Sequence, residues 1–225
     1  MHTTPLAPLA VACLLVLAAC DGGGGTPSSS VTATVSASPS ATPIVAPSPT
    51  PTFVAHPAPV DLRITTHGLL PLTIGIDAAT NPGAAMITWD PTYCYSLEIG
   101  ITTDTGRWAA TYPSGLFSLN GHYAPTITRI DVWDPVLQTP EGIHVGSTLA
   151  QLQAAYPSLV TGTAAFSTTP YWISDAAGTV VFEVGNGTVA GDPGPDQVWF
   201  IRVLAVGVDP DYAIASSGNV ADACF

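Results

Sequence analysis

The chain has 225 residues, 16 of them acidic and 4 basic, and all four cations are arginines (Arg63, Arg107, Arg129, Arg202). A formal charge of −12 argues against a nucleic-acid binder, which needs a basic patch, and against adsorption to an anionic membrane surface. With 47% hydrophobic and 9% charged residues, the composition is unlike that of a chain disordered throughout.

Residues 9–19 form an apolar run too short for a transmembrane helix, which takes about 20 residues, and its place in the chain reads as the h-region of an export signal. The run ends in Leu17-Ala18-Ala19-Cys20, small residues directly before a cysteine. This resembles the lipobox of bacterial lipoproteins. The resemblance implies a signal peptide over 1–19, diacylglycerol on the Cys20 thiol, and anchoring to the outer face of the cytoplasmic membrane. The alternative is a plain signal peptide with a chance cysteine. The n-region Met1-His2-Thr3-Thr4-Pro5 departs from the pattern because it carries no Lys or Arg.

Of residues 21–57, 24 are Pro, Ser, Thr or Gly, and Asp21 is the sole charge. Such a segment buries too little apolar surface to offset its ordering entropy, so 20–57 is expected to be a lipidated cysteine followed by a disordered tether. At roughly 3 Å per residue, a proline-rich chain of this length reaches on the order of 100 Å. Its composition resembles the tethers of actinobacterial surface lipoproteins, some of which are O-glycosylated.

A globular domain is expected over 58–225, where all five tryptophans lie. Two echoes run through it: Leu72-Thr73-Ile74-Gly75 with Ile143-His144-Val145-Gly146, and Thr128-Arg129-Ile130-Asp131-Val132 with Ile201-Arg202-Val203-Leu204-Ala205. Each half also carries an Asn-Gly turn signal, Asn120-Gly121 and Asn186-Gly187. The order of these echoes predicts a duplication, with copies over about 62–138 and 139–225. Leu149, Leu152 and Tyr156 share one helical face. Thr148 and Gln151 have capping-box spacing, and Pro157 stops the helix. The matching segment, 77–86, is interrupted by Asn81-Pro82-Gly83. Strands are predicted over 94–101, 116–119, 127–133, 171–174, 180–184 and 198–205. The expected fold class is therefore α+β: two tandem copies of a short helical segment plus an antiparallel meander, helices on one face of the sheet.

The segments Gly68-Leu69-Leu70-Pro71-Leu72-Thr73-Ile74-Gly75 and Thr139-Pro140-Glu141-Gly142-Ile143-His144-Val145-Gly146-Ser147-Thr148-Leu149, with Tyr156-Pro157, resemble actinobacterial lipoproteins. In layout the chain is also similar to the tandem-repeat fold of β-lactamase inhibitory protein and of the small outer-membrane-assembly lipoproteins. That resemblance implies a helix-loop-helix on an antiparallel sheet whose open face binds another protein.

With Cys13 in the signal and Cys20 lipidated, Cys94 and Cys224 remain, and two thiols in an exported protein most simply pair. Free thiols or a metal pair are the alternatives, although neither cysteine has CxxC or CxxxH company. No metal and no cofactor is expected. The histidines show no HExxH or HxH spacing, and neither a GxSxG elbow nor an SxxK is present. A triad assembled from distant positions stays open. Asp192, Asp196, Asp209 and Asp211 lack the alternation of an EF-hand and read as turn aspartates. Strand periodicity places Arg129, Trp133, Phe200 and Arg202 on one sheet face, where arginine and aromatic side chains would anchor an envelope protein partner. The expectation is a non-catalytic binding module of the cell envelope. An envelope hydrolase with an unrecognised site is the alternative.

Overall fold

The computed structural model describes residues 56–113, 115–120, 125–188, 194–211 and 218–224. Cys20, the export signal and nearly all of the tether lie outside these residues, as do Gly121, His122 and Asp192.

Among the described residues three antiparallel sheets form. Strands β1 (Arg63–Thr65), β2 (Gly68–Leu70) and β3 (Leu72–Thr73) form a small meander. It carries Ile64, Leu69 and Leu72 into the core with no exposure. Gly68 sits at φ +142°, and a Cβ there would stand 2.1 Å from the Leu72 carbonyl oxygen, so the turn into β2 admits only glycine. Strands β4 (Ile87–Asp90) and β5 (Arg107–Ala110) pair as a two-stranded sheet. The third sheet has six strands in the order β6-β7-β11-β10-β9-β8. These are β6 (Phe117–Leu119), β7 (Arg129–Val132), β8 (Val160–Thr161), β9 (Thr168–Ser174), β10 (Gly178–Gly185) and β11 (Val198–Ala205).

One α-helix is present among the described residues, α1 (Leu149–Ala155), where the periodicity placed it. Its capping box is formed: Gln151 N donates to Thr148 Oγ1 at 3.2 Å, and Thr148 N donates to Gln151 Oε1 at 2.8 Å. Leu152 enters the core, and Tyr156 at the C-cap packs its ring 5.5 Å from that of Phe182.

The α+β expectation is overturned. The regular structure is mostly strand, and a seven-residue helix makes no helical layer over a sheet. In the first half the break expected at Asn81-Pro82-Gly83 is present, flanked by two short 3-10 turns, Ala78–Thr80 and Ala84–Met86. Between them Asn81 is fully buried and bonds its side chain to the backbone. Its Oδ1 accepts from Thr73 N and Gly83 N, both at 3.0 Å, and its Nδ2 donates to Thr73 O at 2.7 Å. This asparagine meets the backbone's hydrogen-bonding needs in a way a helix would forbid. The strand expected over 94–101 is also absent, replaced by turns and a single bridge between Ser96 and Ile101. The two halves therefore do not share one grammar: the first spreads its strands over three sheets, and the second runs helix then meander.

Candidate binding site

The register tests the expected sheet face directly. Arg202 on β11 lies opposite Asp131 on β7, and Leu204 lies opposite Arg129. Arg129, Asp131 and Arg202 therefore share one face, while Ile130, Val132, Ile201 and Val203 turn to the core on the other. The shared face holds for the arginines, but that face is not open. Arg202 is 0% exposed and Arg129 8%. The segment after β11 covers them. Arg202 Nη2 donates to Pro210 O at 3.0 Å, Arg129 Nη2 donates to Asn219 O at 2.6 Å, and Ala221 N donates to Asp131 Oδ2 at 2.9 Å.

Beneath that cover lies a layer of four charges. Arg129 grips Asp131 through two bonds, Nε to Oδ1 at 2.6 Å and Nη2 to Oδ2 at 2.7 Å. Arg202 Nε faces Glu183 Oε1 at 2.7 Å as an ion pair without hydrogen-bond alignment, and Arg202 Nη1 has no hydrogen-bond partner among the described residues. Thr168 Oγ1 donates to Glu183 Oε2 at 3.0 Å. Burial pushes the Asp131 carboxyl above its ordinary value against the pull of Arg129, and it lowers Arg202 against the pull of Glu183. Opposite charges neutralise one another here, so the arginines serve packing rather than an exposed surface.

Phe200 is buried as well. A register shift at Glu183/Val184 places Val184 opposite Val198, which leaves Trp199 as the extra residue of a bulge. Trp199 then stacks on Phe200 with centroids 4.8 Å apart instead of facing the core with Ile201. Trp133 meets Phe200 edge-on at 4.7 Å. Of the four expected residues, Trp133 alone lines a cleft that opens beside β6.

That cleft encloses about 440 Å³ between β5 and β6. Trp108 and Ala110 of β5, Phe117 and Leu119 of β6, and Tyr93, Tyr112 and Trp133 line it, and Asp222 closes one end. Its walls come from the backbone upward. Thr111 N donates to Met86 O, so along β5 the residues Arg107, Ala109 and Thr111 direct their peptide groups to β4. Trp108 and Ala110 direct theirs the opposite way. On β6, Asn120 N donates to Arg129 O and Trp133 N to Leu116 O, so Leu116, Ser118 and Asn120 face β7. Phe117 and Leu119 direct their peptide groups away from β7. No ladder joins β5 to β6. The cleft thus lies between two strands that share no ladder, and β6 is buried along its length.

The polar side chains of the cleft are mostly engaged. Tyr93 Oη donates to Asp222 Oδ2 at 2.8 Å, Trp133 Nε1 donates to Ser118 Oγ at 3.3 Å, and Tyr112 Oη donates to Pro57 O at 2.9 Å. Burial, then the bond to Asp222 and its negative charge, push the Tyr93 hydroxyl up to about 12. The Cys94–Cys224 disulfide, with Cα atoms 5.3 Å apart, holds this end together. Tyr93 adjoins one half-cystine and Asp222 lies two residues before the other. Arg107 Nη2 adds a bond to Ala223 O at 3.2 Å. Beyond the cleft, Trp89, Tyr95, Leu97 and Ile99 are exposed.

Sequence reasoning missed Tyr93, Trp108, Tyr112 and Phe117. The available signal was aromatic residues concentrated in 89–117, outside any long periodic strand. Among the turn aspartates, Asp209 accepts from Asp211 N at 2.9 Å and Asp211 accepts from Thr163 N at 3.0 Å. No group of three potential metal ligands occurs among the described residues.

No protein-family model, no curated protein and no solved structure matches this chain.

Proposed function

We propose that the chain is a lipid-anchored protein of the cell envelope that binds a partner protein without catalysing a reaction, and that the aromatic cleft is its binding site. The lipobox-like Leu17-Ala18-Ala19-Cys20 and the Pro/Ser/Thr tether support the anchoring. The observation that carries the binding site is the cleft itself, where five aromatic side chains surround one carboxylate. Aromatic anchors that already lie in a concave site lose little side-chain entropy on binding and dominate interface energetics.

The test is cross-linked capture of envelope proteins by the native protein and by Trp108→Ala. A specific partner should be captured by the native protein and lost, by tenfold or more, with Trp108→Ala at a nearly unchanged melting temperature. Capture indifferent to Trp108→Ala would end this reading.

A further inference from the structure

Resting on that reading, we infer that the cleft receives a single lysine side chain of the partner protein, its ammonium held by Asp222 and by the faces of the surrounding aromatic rings. The charge at the cleft is negative. No lining residue is basic, and Asp222 is the acidic residue among them. Three charges act on the Tyr93 hydroxyl at that end: Asp222 and Asp90 on one side, Arg107 on the other. Two carboxylates against one guanidinium leave a net negative charge there. Arg107 is 3% exposed and spends its guanidinium on the carbonyls of Asp104, Gly106 and Ala223, so it does not occupy the cleft. Over the whole chain, a charge of −12 draws a basic partner at longer range.

The hydrogen-bonding groups then select among ligands. The hydroxyls of Tyr93 and Tyr112 and the indole N–H of Trp133 already donate within the protein, so few donors remain for an anion or a polyhydroxyl ligand. Asp222 accepts from Tyr93 through Oδ2, while its Oδ1 accepts no bond among the described residues. A primary ammonium donates to that oxygen, which a quaternary ammonium cannot do. Its other N–H groups turn to the ring faces, whose quadrupoles attract a cation within about 6 Å. A guanidinium presents five donors in one plane, more than a single free carboxylate oxygen meets. The lysine stem is apolar, and Trp108, Ala110 and Tyr112 give it an apolar wall. At about 440 Å³ the cleft suits one side chain rather than a length of backbone.

The experiment uses the full exported protein in detergent with its disulfide intact, and follows tryptophan fluorescence during titration with lysine blocked at both backbone ends. Four comparisons accompany it: the same probe acetylated on its side-chain nitrogen, its arginine counterpart, tetramethylammonium, and Asp222→Asn protein with the lysine probe. Saturable binding in the millimolar range is expected, weakened at least fivefold in each comparison, with the melting temperature of Asp222→Asn nearly unchanged. Should Asp222→Asn melt early, the native protein decides instead: the lysine probe must bind more weakly as salt rises, and the acetylated probe must not. Equal binding of the acetylated probe would show that charge is not read and overturn the inference. Equal binding of the arginine probe or of tetramethylammonium would overturn the primary-ammonium assignment. Lysine binding unaltered in a folded Asp222→Asn protein would remove the carboxylate from the site, and no binding at tens of millimolar probe would overturn the whole. Phosphatidylethanolamine vesicles that compete as well as the lysine probe would make a lipid headgroup the source and overturn the side-chain assignment. In each of these cases Trp108-dependent capture of an envelope protein would still stand, so the failure of this inference is separable from failure of the binding reading.

Discussion

Tyr93 donates its hydroxyl to Asp222 at 2.8 Å, across 129 positions of chain, because the disulfide beside them brings their two segments together. A hydrogen bond between exposed partners this far apart in sequence would not by itself overcome the entropy of closing the loop. The covalent link removes that cost from the folded state's side of the balance. The end of the cleft, the cover over Arg129 and the disulfide are consequently one mechanical unit.

Replacing both cysteines with serine should therefore affect site and stability together. A bridge with a sequence separation of 130 contributes up to about 5 kcal/mol on the chain-entropy account. Urea unfolding of Cys94→Ser/Cys224→Ser should show a loss of several kcal/mol, with binding at the cleft weakened even where the protein remains folded. Unchanged binding in the folded variant would show that Asp222 is held without the bridge.

The Tyr93 hydroxyl has a folded-state value of about 12 against an ordinary 10.0. A group whose folded value is raised contributes stability that is fully present below the unfolded value and lost as pH rises through the folded one. Stability should fall between pH 10 and about 12 more steeply in the native protein than in Tyr93→Phe, measured by denaturant midpoints across that window. Parallel curves would place the bond to Asp222 outside solution behaviour.

Arg202 and Glu183 are both fully buried, and removing one partner leaves the other charge without it in a site closed to water. Arg202→Met or Glu183→Gln should each destabilise by about 3 to 5 kcal/mol. The double change Arg202→Met/Glu183→Leu should recover most of that loss, because apolar side chains of similar volume need no compensating charge. Additive losses in the double variant would refute coupling.

Gly83 packs against Leu72 so closely that a Cβ would stand 2.5 Å from Leu72 Cα and 2.6 Å from its nitrogen. Gly83→Ala should cost about 1 to 3 kcal/mol by forcing β3 from the Asn81 side chain that holds it. A melting temperature equal to that of the native protein would count against this packing.

For the proposed anchor, Cys20→Ala should release the protein to the medium or leave an uncleaved precursor, read by fractionation and intact mass. Stable anchoring takes two acyl chains or more, since one is marginal. Mature, membrane-bound Cys20→Ala protein would remove the lipid anchor from the proposal.

The sequence by itself determined the local elements whose signals are short-range. The Thr148–Gln151 capping box, the stop at Pro157, and the strands around 117–119, 129–132, 180–184 and 198–205 are all encoded within a few residues of themselves. It also narrowed the cysteines to one simple pair. What the far side of the six-stranded sheet faces was decided only by tertiary structure. A hint was present, since Val180-Val181-Phe182 and Phe200 through Ala205 are nearly continuous apolar runs, and strands buried on both faces read that way. The covering segment after Ala205, however, has no periodicity of its own and is held by backbone bonds to Arg129, Asp131 and Arg202 that no local pattern announces. The interruption at Asn81-Pro82-Gly83 was legible, but what holds it was not: the Asn81 side chain finds its backbone partners on β3, which no local pattern announces. The cleft was invisible for the same cause, because a gap between β5 and β6 exists only once each strand has chosen β4 or β7 as its neighbour.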